Sequence, residues 1–420
     1  MESPLDRRTF LKGAAASTVG TQLLLSGTAQ ALSHRQKTGP QDPALTAYVG
    51  SFTDHVSGAG AGISVYRVSG GSRRWRLTQV VKATSSSTAP VNAKEPLPAN
   101  PSFLALDRGR RHLYAVHGDR TQVSSFKINP NSGRLTLLNI VDTGRLNPVY
   151  VTVDPSGRFL VVAFYDAPGS VATLAIRSDG SLGPVISSIS FPGTPGPDRT
   201  RQLGSHPHEA KFDLTGRWLV VPDLGLDRVF VLHMDPATGT LSFNQPGWVQ
   251  LRAGSGPRHV AFNPRRPYAY TVNELRSTVT TYHWDHRRGL LRPLQVLPSQ
   301  APTMTGDTRA AEIAVSASGR HVYASNRSVA GGVGDSPNPK DTIGIWSVNP
   351  RTGHLSPMGW VSTQGGEPRF FTLSLTGSRL YAANQRTNTI VPFNVNQDSG
   401  HLSPAAGVVD VGAPVCIVFR

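Results

Sequence analysis

The chain has almost no cysteine. Cys416 stands alone among 420 residues, so no disulfide within the chain can staple the fold, and a structural zinc would need ligands from His and carboxylates alone. In the last apolar run that lone thiol reads as a small buried hydrophobe, not a reactive group. Aromatics are few, at 7%, and hydrophobic residues reach 38%, which suits strands that bury one layer against a neighbour. Acids are scarce beside bases, 26 against 42, for a net charge of +16. No long helical pattern follows the N-terminus, and no nucleophile elbow, phosphate-cradling loop or heptad is present. The excess of Arg invites a nucleic-acid reading, but Arg110, Arg111, Arg265, Arg266, Arg287 and Arg288 sit in turns without interleaved aromatics. No specific nucleic-acid partner is therefore expected. Such a field draws anionic small molecules toward the surface, or envelope polymers.

What the chain does have is punctuation and repetition. Its 42 Gly and 33 Pro mark many tight turns. A unit of about 40–50 residues recurs, which is the signature of a β-propeller. Its copies read NPSFLALDRGRRHLYAVHG from Asn100, NPVYVTVDPSGRFLVVAFYD from Asn147, HPHEAKFDLTGRWLVVPDLG from His206, GPRHVAFNPRRPYAYTVNEL from Gly256, AAEIAVSASGRHVYASNR from Ala310 and EPRFFTLSLTGSRLYAANQ from Glu367. A truncated seventh copy, GAPVCIVFR, ends at Arg420, while the segment after Leu32 shows only later strands (TAYVGSF, GISVYRV, RLTQVVKA). The spacing predicts an all-β, seven-bladed propeller over residues 45–420, closed by pairing the C-terminal strand with the N-terminal blade, which leaves no open edge between first and last copies. Turns such as Asp154-Pro155-Ser156-Gly157 and Asn129-Pro130-Asn131-Ser132-Gly133 place a side-chain acceptor early and Gly where positive φ is needed.

The N-terminus reads as a routing label. Arg7 and Arg8 precede Phe10, Leu11 and Lys12, a mildly apolar Ala/Gly stretch, and an Ala29-Gln30-Ala31 exit. This predicts a twin-arginine signal over residues 1–31, recognised by the twin-arginine export machinery, and a loose tether over 32–44. The stretch is too short and polar for a permanent membrane span. A periplasmic or extracellular location follows as the expectation.

Chemistry is expected where the repeat stops repeating. His206, His208, Arg258, His259, Glu312 and Arg369 open first strands, while Asp223, Glu274, Arg327 and Gln385 follow second strands. First strands line a propeller's channel, so these side chains converge in one cleft, where desolvated charges need each other or a ligand. An inter-blade ion-pair ring, including a Glu274–Arg258 bridge, is the structural alternative. Asp223 reads as a turn former, and His206-Pro207-His208 without a clear third ligand is weak support for a metal; no metal or cofactor is expected.

The blocks from His206, Gly256, Ala310 and Glu367 resemble those of the lactonase family of seven-bladed propellers, which includes bacterial 6-phosphogluconolactonase and the fungal enzyme that lactonizes 3-carboxy-cis,cis-muconate. The resemblance runs from about Thr46 to the C-terminus. It implies a metal-independent site with His208, Glu274, Arg258 and Arg327 as catalytic residues, and His206, His259, Arg369 and Glu312 as substrate contacts. Asn263 departs from a His common in its turn, and Val329 to Asp341 reads as an enlarged loop. Lactone opening needs a base for water, a clamp for the oxyanion and a proton for the leaving alkoxide. Glu274 or His208 fits the base, the other the acid, and Arg258 and Arg327 offer cationic forks for a carboxylate, phosphate or oxyanion. An exported lactonase acting on a small anionic or sugar-derived lactone is the leading expectation. A carboxymuconate-type cycloisomerase and a non-catalytic ligand- or envelope-binding propeller are the alternatives.

Overall fold

The computed structural model describes residues 45–54, 60–69, 74–83, 97–304, 307–328 and 341–420. The expected leader and tether, and the expected loop from 329 to 340, lie outside the described residues. Among the described residues all regular structure is strand, in seven sheets. The chain is a seven-bladed propeller. First strands are Pro414–Phe419 in blade 1, Pro101–Leu106 in blade 2, Pro148–Val153 in blade 3, Lys211–Phe212 in blade 4, Pro257–Phe262 in blade 5, Thr308–Val315 in blade 6 and Pro368–Leu373 in blade 7. Each sheet runs outward from these in sequence order, and in blade 7 the third strand, Thr389–Val395, also pairs with Val409–Asp410.

The ring closes as the sequence predicts. Pro414–Phe419 lies antiparallel to Leu45–Ser51, with Phe419 opposite Ala47 and Cys416 opposite Gly50. Beyond the ladder, Thr46 N–H donates to Arg420 O at 3.0 Å and Arg420 N–H to Thr46 O at 2.8 Å. Closure covers the inner edge of Leu45–Ser51 in blade 1, which the N-terminal segment alone would leave open.

Blades are held to one another by apolar faces and by a recurring polar tie. The central strand positions are buried on both faces, as in Phe159–Phe164 and Tyr268–Asn273, because each sheet is covered by a neighbour on either side. The tie runs from a second- or third-strand hydroxyl to a glycine carbonyl in the next blade's outer turn: Tyr48 to Gly133 at 2.9 Å, Thr173 to Gly239 at 2.8 Å and Tyr323 to Gly400 at 2.9 Å. These glycines are therefore sockets as well as turn formers. Gly133 sits at φ 74°, and a Cβ there would approach Thr46 Oγ1 of blade 1 to 2.6 Å. Asn263 serves its own turn, accepting from Arg265 N–H at 2.9 Å, and ties it to the matching turn of blade 6, donating to Gly319 O at 2.8 Å.

Candidate active site

One irregularity, repeated in all seven blades, builds the centre of the molecule. Near its start each first strand slips by one residue against the second: between Pro101 and Phe103, Pro148 and Tyr150, Pro257 and His259, Ala310 and Ile313, Pro368 and Phe370, at Val415, and between the Pro207–Asp223 bridge and Lys211. A bulge bends its strand and re-aims the extra side chain. The residues so placed are Ser102, Val149, His208, Arg258, Ala311, Arg369 and Val415, and all but Ala311 line a single cavity. That cavity is about 790 Å³, its open mouth included, with Phe52, Phe103, Tyr165, Arg201, His259, Glu274 and Phe370 on its walls.

The residues one step further make up its floor and the layer directly beneath, with Phe103, His259 and Phe370 reaching the cavity itself. Rings of Phe103 and Tyr150 lie 4.5 Å apart, Phe103 and Phe370 5.9 Å, and Tyr150 and His259 5.8 Å, so blades 2, 3, 5 and 7 meet here. The same position carries Glu209 in blade 4, Glu312 in blade 6 and Cys416 in blade 1. The floor is thus apolar on one side and charged on the other.

Glu274, just past the second strand of blade 5, is the electrostatic hub. Its Oε1 accepts from Arg201 Nη2 at 2.8 Å, and its Oε2 lies 3.2 Å from both Arg258 Nε and Arg327 Nη2. Burial alone would raise its pKa, but Arg327, Arg201, Arg258 and Arg369 outweigh that and hold the carboxyl far below its ordinary range. Arg258 Nε and Arg327 Nη2 are close to the carboxylate yet poorly aligned, and both remain buried donors without a hydrogen-bond acceptor. Burial, with Arg369 and Arg327 nearby, lowers the pKa of Arg258 to about 9, which leaves it a cation at neutral pH and short of counter-charge. The Arg369 guanidinium packs 5.3 Å from the Phe52 ring centre, and burial followed by Arg327 lowers its pKa too.

Three imidazoles occupy distinct settings. His208 lines the cavity, and its buried Nδ1 has no hydrogen-bond partner. Burial, then Arg258, His259 and Arg369, push its pKa well below the ordinary value, so the ring is neutral. His206 is turned away: its Nδ1 lies 2.6 Å from Tyr165 O and its ring stacks on Tyr165 at 4.6 Å, placing it behind the wall. His259 lines the floor, with Nδ1 3.0 Å from Glu312 Oε2.

Of the expected site residues, His208, Arg258, Glu274, His259 and Arg369 line the cavity together. Arg327 and Glu312 lie one contact behind, against Glu274 and His259, and His206 supports the wall through Tyr165. Asp223 is the turn former expected, its buried carboxylate accepting from Ser205 Oγ at 2.5 Å and from His206, Gly225 and Leu226 N–H. Sequence reasoning missed Arg201 and Tyr165. Arg201 comes from the strandless segment 191–205, outside the repeat, and reaches both Glu274 and the Tyr165 hydroxyl, the latter at 3.2 Å. It also missed Glu209, which accepts from Val260 N–H and pairs with Lys211 at 2.7 Å. An acid two residues before a Lys in the shortest first strand was the available signal.

Residues 46–419 match the family described as Lactonase, 7-bladed beta-propeller. Over 361 residues the chain is 31% identical to the 6-phosphogluconolactonase of Formosa agariphila, covering 84% of this chain and 94% of that protein. It is 29% identical to the 6-phosphogluconolactonase of Bacillus subtilis over 377 residues, 89% of this chain and 99% of the relative. Among solved structures, the periplasmic gluconolactonase of Pseudomonas aeruginosa superposes with a TM-score of 0.76 at 29% identity, covering 89% of this chain and 98% of that one.

Proposed function

The chain belongs to the lactonase family of seven-bladed β-propellers, and from that premise we propose that it hydrolyses a small sugar-derived lactone in the cavity at the channel mouth, outside the cytoplasm. The observation that carries this reading is the convergence there of neutral and carboxylate-paired imidazoles with four guanidinium groups around the carboxylate of Glu274. Surplus cationic charge at a dry wall is what a developing oxyanion, or a substrate phosphate or carboxylate, requires. Arg201, Arg258 and Arg369 are the guanidinium groups that face the cavity, and the misaligned donors of Arg258 and Arg327 are ready for a better acceptor. Glu274, kept ionised by its arginines, aligns these groups and takes no proton; proton transfer falls to the imidazoles. The mechanism needs no metal, because the guanidinium forks supply the electrophile. Aromatic walls from Phe52, Phe103, Phe370 and Tyr165 suit the flat face of a five- or six-membered ring.

Export is supported by the Arg7-Arg8 leader pattern and by the periplasmic neighbour named above. The test is turnover by protein lacking residues 1–31 on D-glucono-1,5-lactone, its 6-phosphate and 3-carboxy-cis,cis-muconate, with Arg258→Ala beside it. Opening of an aldonolactone that falls at least about 100-fold in the variant supports the reading. Cyclisation of the muconate alone would assign a cycloisomerase, and binding without turnover a ligand-binding propeller.

A further inference from the structure

The hydrolytic reading leaves one requirement unmet: some group must hold a proton between attack on the carbonyl and departure of the ring oxygen. Glu274 is pinned in its ionised form by Arg201, Arg258 and Arg327. His208 has no carboxylate on either ring nitrogen, and Arg258 and Arg369 oppose a positive charge on it. His259 differs from both. Its Nδ1 is 3.0 Å from Glu312 Oε2, and Glu312 is an ionised acceptor because His259, Lys211 and Arg258 outweigh the effect of its burial. An ionised carboxylate accepts only, so the proton between them belongs to Nδ1, and Nε2 carries the lone pair.

We propose that His259 is the general base of this site, that Glu312 is its positioning partner, and that His208 stays neutral and hydrogen-bonds the substrate or the attacking water. The inference rests on the hydrolytic reading and deepens it. Glu312 is itself fixed, its other oxygen accepting from Ile313 N–H at 3.0 Å, so the imidazole ring is held by a rigid strand of the next blade. Arg258 Nη1 lies 3.5 and 3.3 Å from the two ring nitrogens, nearly equidistant, and donates instead to Ala311 O at 2.6 Å. Nη1 thus reaches the Nε2 lone pair only through the 3.3 Å contact, longer than its bond to Ala311 O, and the attacking water displaces that contact. The ring of His208 is 5.1 Å away, edge to face, which puts both imidazoles on one substrate.

In the reaction a water O–H bond breaks and its proton goes to His259 Nε2, while the water oxygen bonds to the lactone carbonyl carbon. The carbonyl pair moves to oxygen and is held by the arginine forks. Collapse breaks the ring C–O bond, and the departing alkoxide takes the proton back from Nε2. The hydroxy acid then ionises, releasing one proton to solvent. While it holds the proton, the imidazolium faces the carboxylate of Glu312, as in other carboxylate–histidine pairs that stabilise the cation without taking its proton. The other charges near it are Arg258 on its own strand, His208, Glu209 and Lys211 from blade 4, and Arg369 from blade 7. Tyr150 of blade 3 is held neutral by burial and by Glu209 and Glu312. The two carboxylates of the floor thus offset the cations of the mouth.

The test combines kinetics with a direct reading of the tautomer. On D-glucono-1,5-lactone, His259→Asn and Glu312→Gln are each expected to lower kcat by about 100-fold or more with little change in KM, and the double variant to be no worse than His259→Asn. Glu312→Gln, which removes the counter-charge of the imidazolium, is expected to move the acid limb of kcat toward lower pH, and Glu312→Asp to recover part of the rate. His208→Asn is expected to raise KM and leave that limb in place. A kcat unchanged in His259→Asn, or an acid limb unmoved in Glu312→Gln, overturns the dyad while an active wild type keeps the hydrolytic reading; a wild type inert on every lactone sinks both. Should the variants fail to fold, nitrogen-15 imidazole shifts of the wild type decide: a protonated Nδ1 on His259 is required, and an Nε2–H tautomer refutes the assignment.

Discussion

Replacing Glu274 by Gln removes one negative charge from the middle of three guanidinium groups. Glu274 and Arg258 each retain 3% side-chain exposure and Arg327 6%, whereas Arg201, at 24%, can turn to solvent. The variant therefore strands the buried Arg258 and leaves Arg327 only the longer contact with Glu367, at 3.9 Å, and breaking a buried pair by deleting one partner costs about 3–5 kcal/mol. A surface control, Arg320→Ala, breaks a contact with Asp398 whose side chains are 55% and 97% exposed and is expected to cost under about 1 kcal/mol. The assay is urea unfolding of both variants and wild type at several pH values. The folded-state pKa of Glu274 lies far below the ordinary 4.5, so its stabilisation is complete above about pH 5 and is lost as pH falls toward the folded value. The deficit of Glu274→Gln is thus full at pH 7 and shrinks between pH 5 and pH 3, because wild type loses what the variant never had. A deficit below about 1 kcal/mol at pH 7, or one that grows on acidification, would refute the hub.

Three further outcomes follow from the same structure. Deleting residues 412–420 removes the inner strand of blade 1 and its ladder to Leu45–Ser51, so the truncated protein is expected to lose cooperative thermal unfolding; an unchanged melting curve contradicts the closure. Asp223→Asn exchanges an acceptor of four hydrogen bonds for a group that must also donate, and is expected to cost about 1–3 kcal/mol and to loosen the His206–His208 segment, read as raised amide exchange there. Cys416 is fully buried and burial pushes its thiol pKa far up, so a disulfide reagent is expected to leave native protein unmodified and to titrate one thiol after unfolding; prompt reaction of the native state contradicts its place in the floor.

The blades, their order and their closure were legible because each copy states its own strands and turns, and the C-terminal copy supplies the strand that the first lacks. The rows that converge were legible too, since Arg258, Glu274 and Arg369 are costly residues at positions where other copies carry bland ones. Less could be read of direction. Period-two alternation places His206 and His208 on one face, yet the one-residue slip after Pro207 turns them apart, and His206 ends against Tyr165. The same slip divides Arg258, in the wall, from His259, in the floor. Arg201 lies in a segment with no counterpart in other copies, so no comparison between blades could mark it. The proposal gives Glu274 an anchor's part in place of the acid–base part expected of it, because three arginines, separated by up to about 126 positions in sequence, close on it only in the ring.

The most direct test of the account is a crystal structure of the protein lacking residues 1–31 with D-gluconate 6-phosphate, an aldonolactone hydrolysis product. The account predicts the aldonate in the channel-mouth cavity, its carboxylate on the Arg258 and Arg369 guanidinium groups and within hydrogen-bond reach of His208 and His259. An aldonate seated on the outer strands of a blade, or a cavity left empty at saturating product, would contradict it.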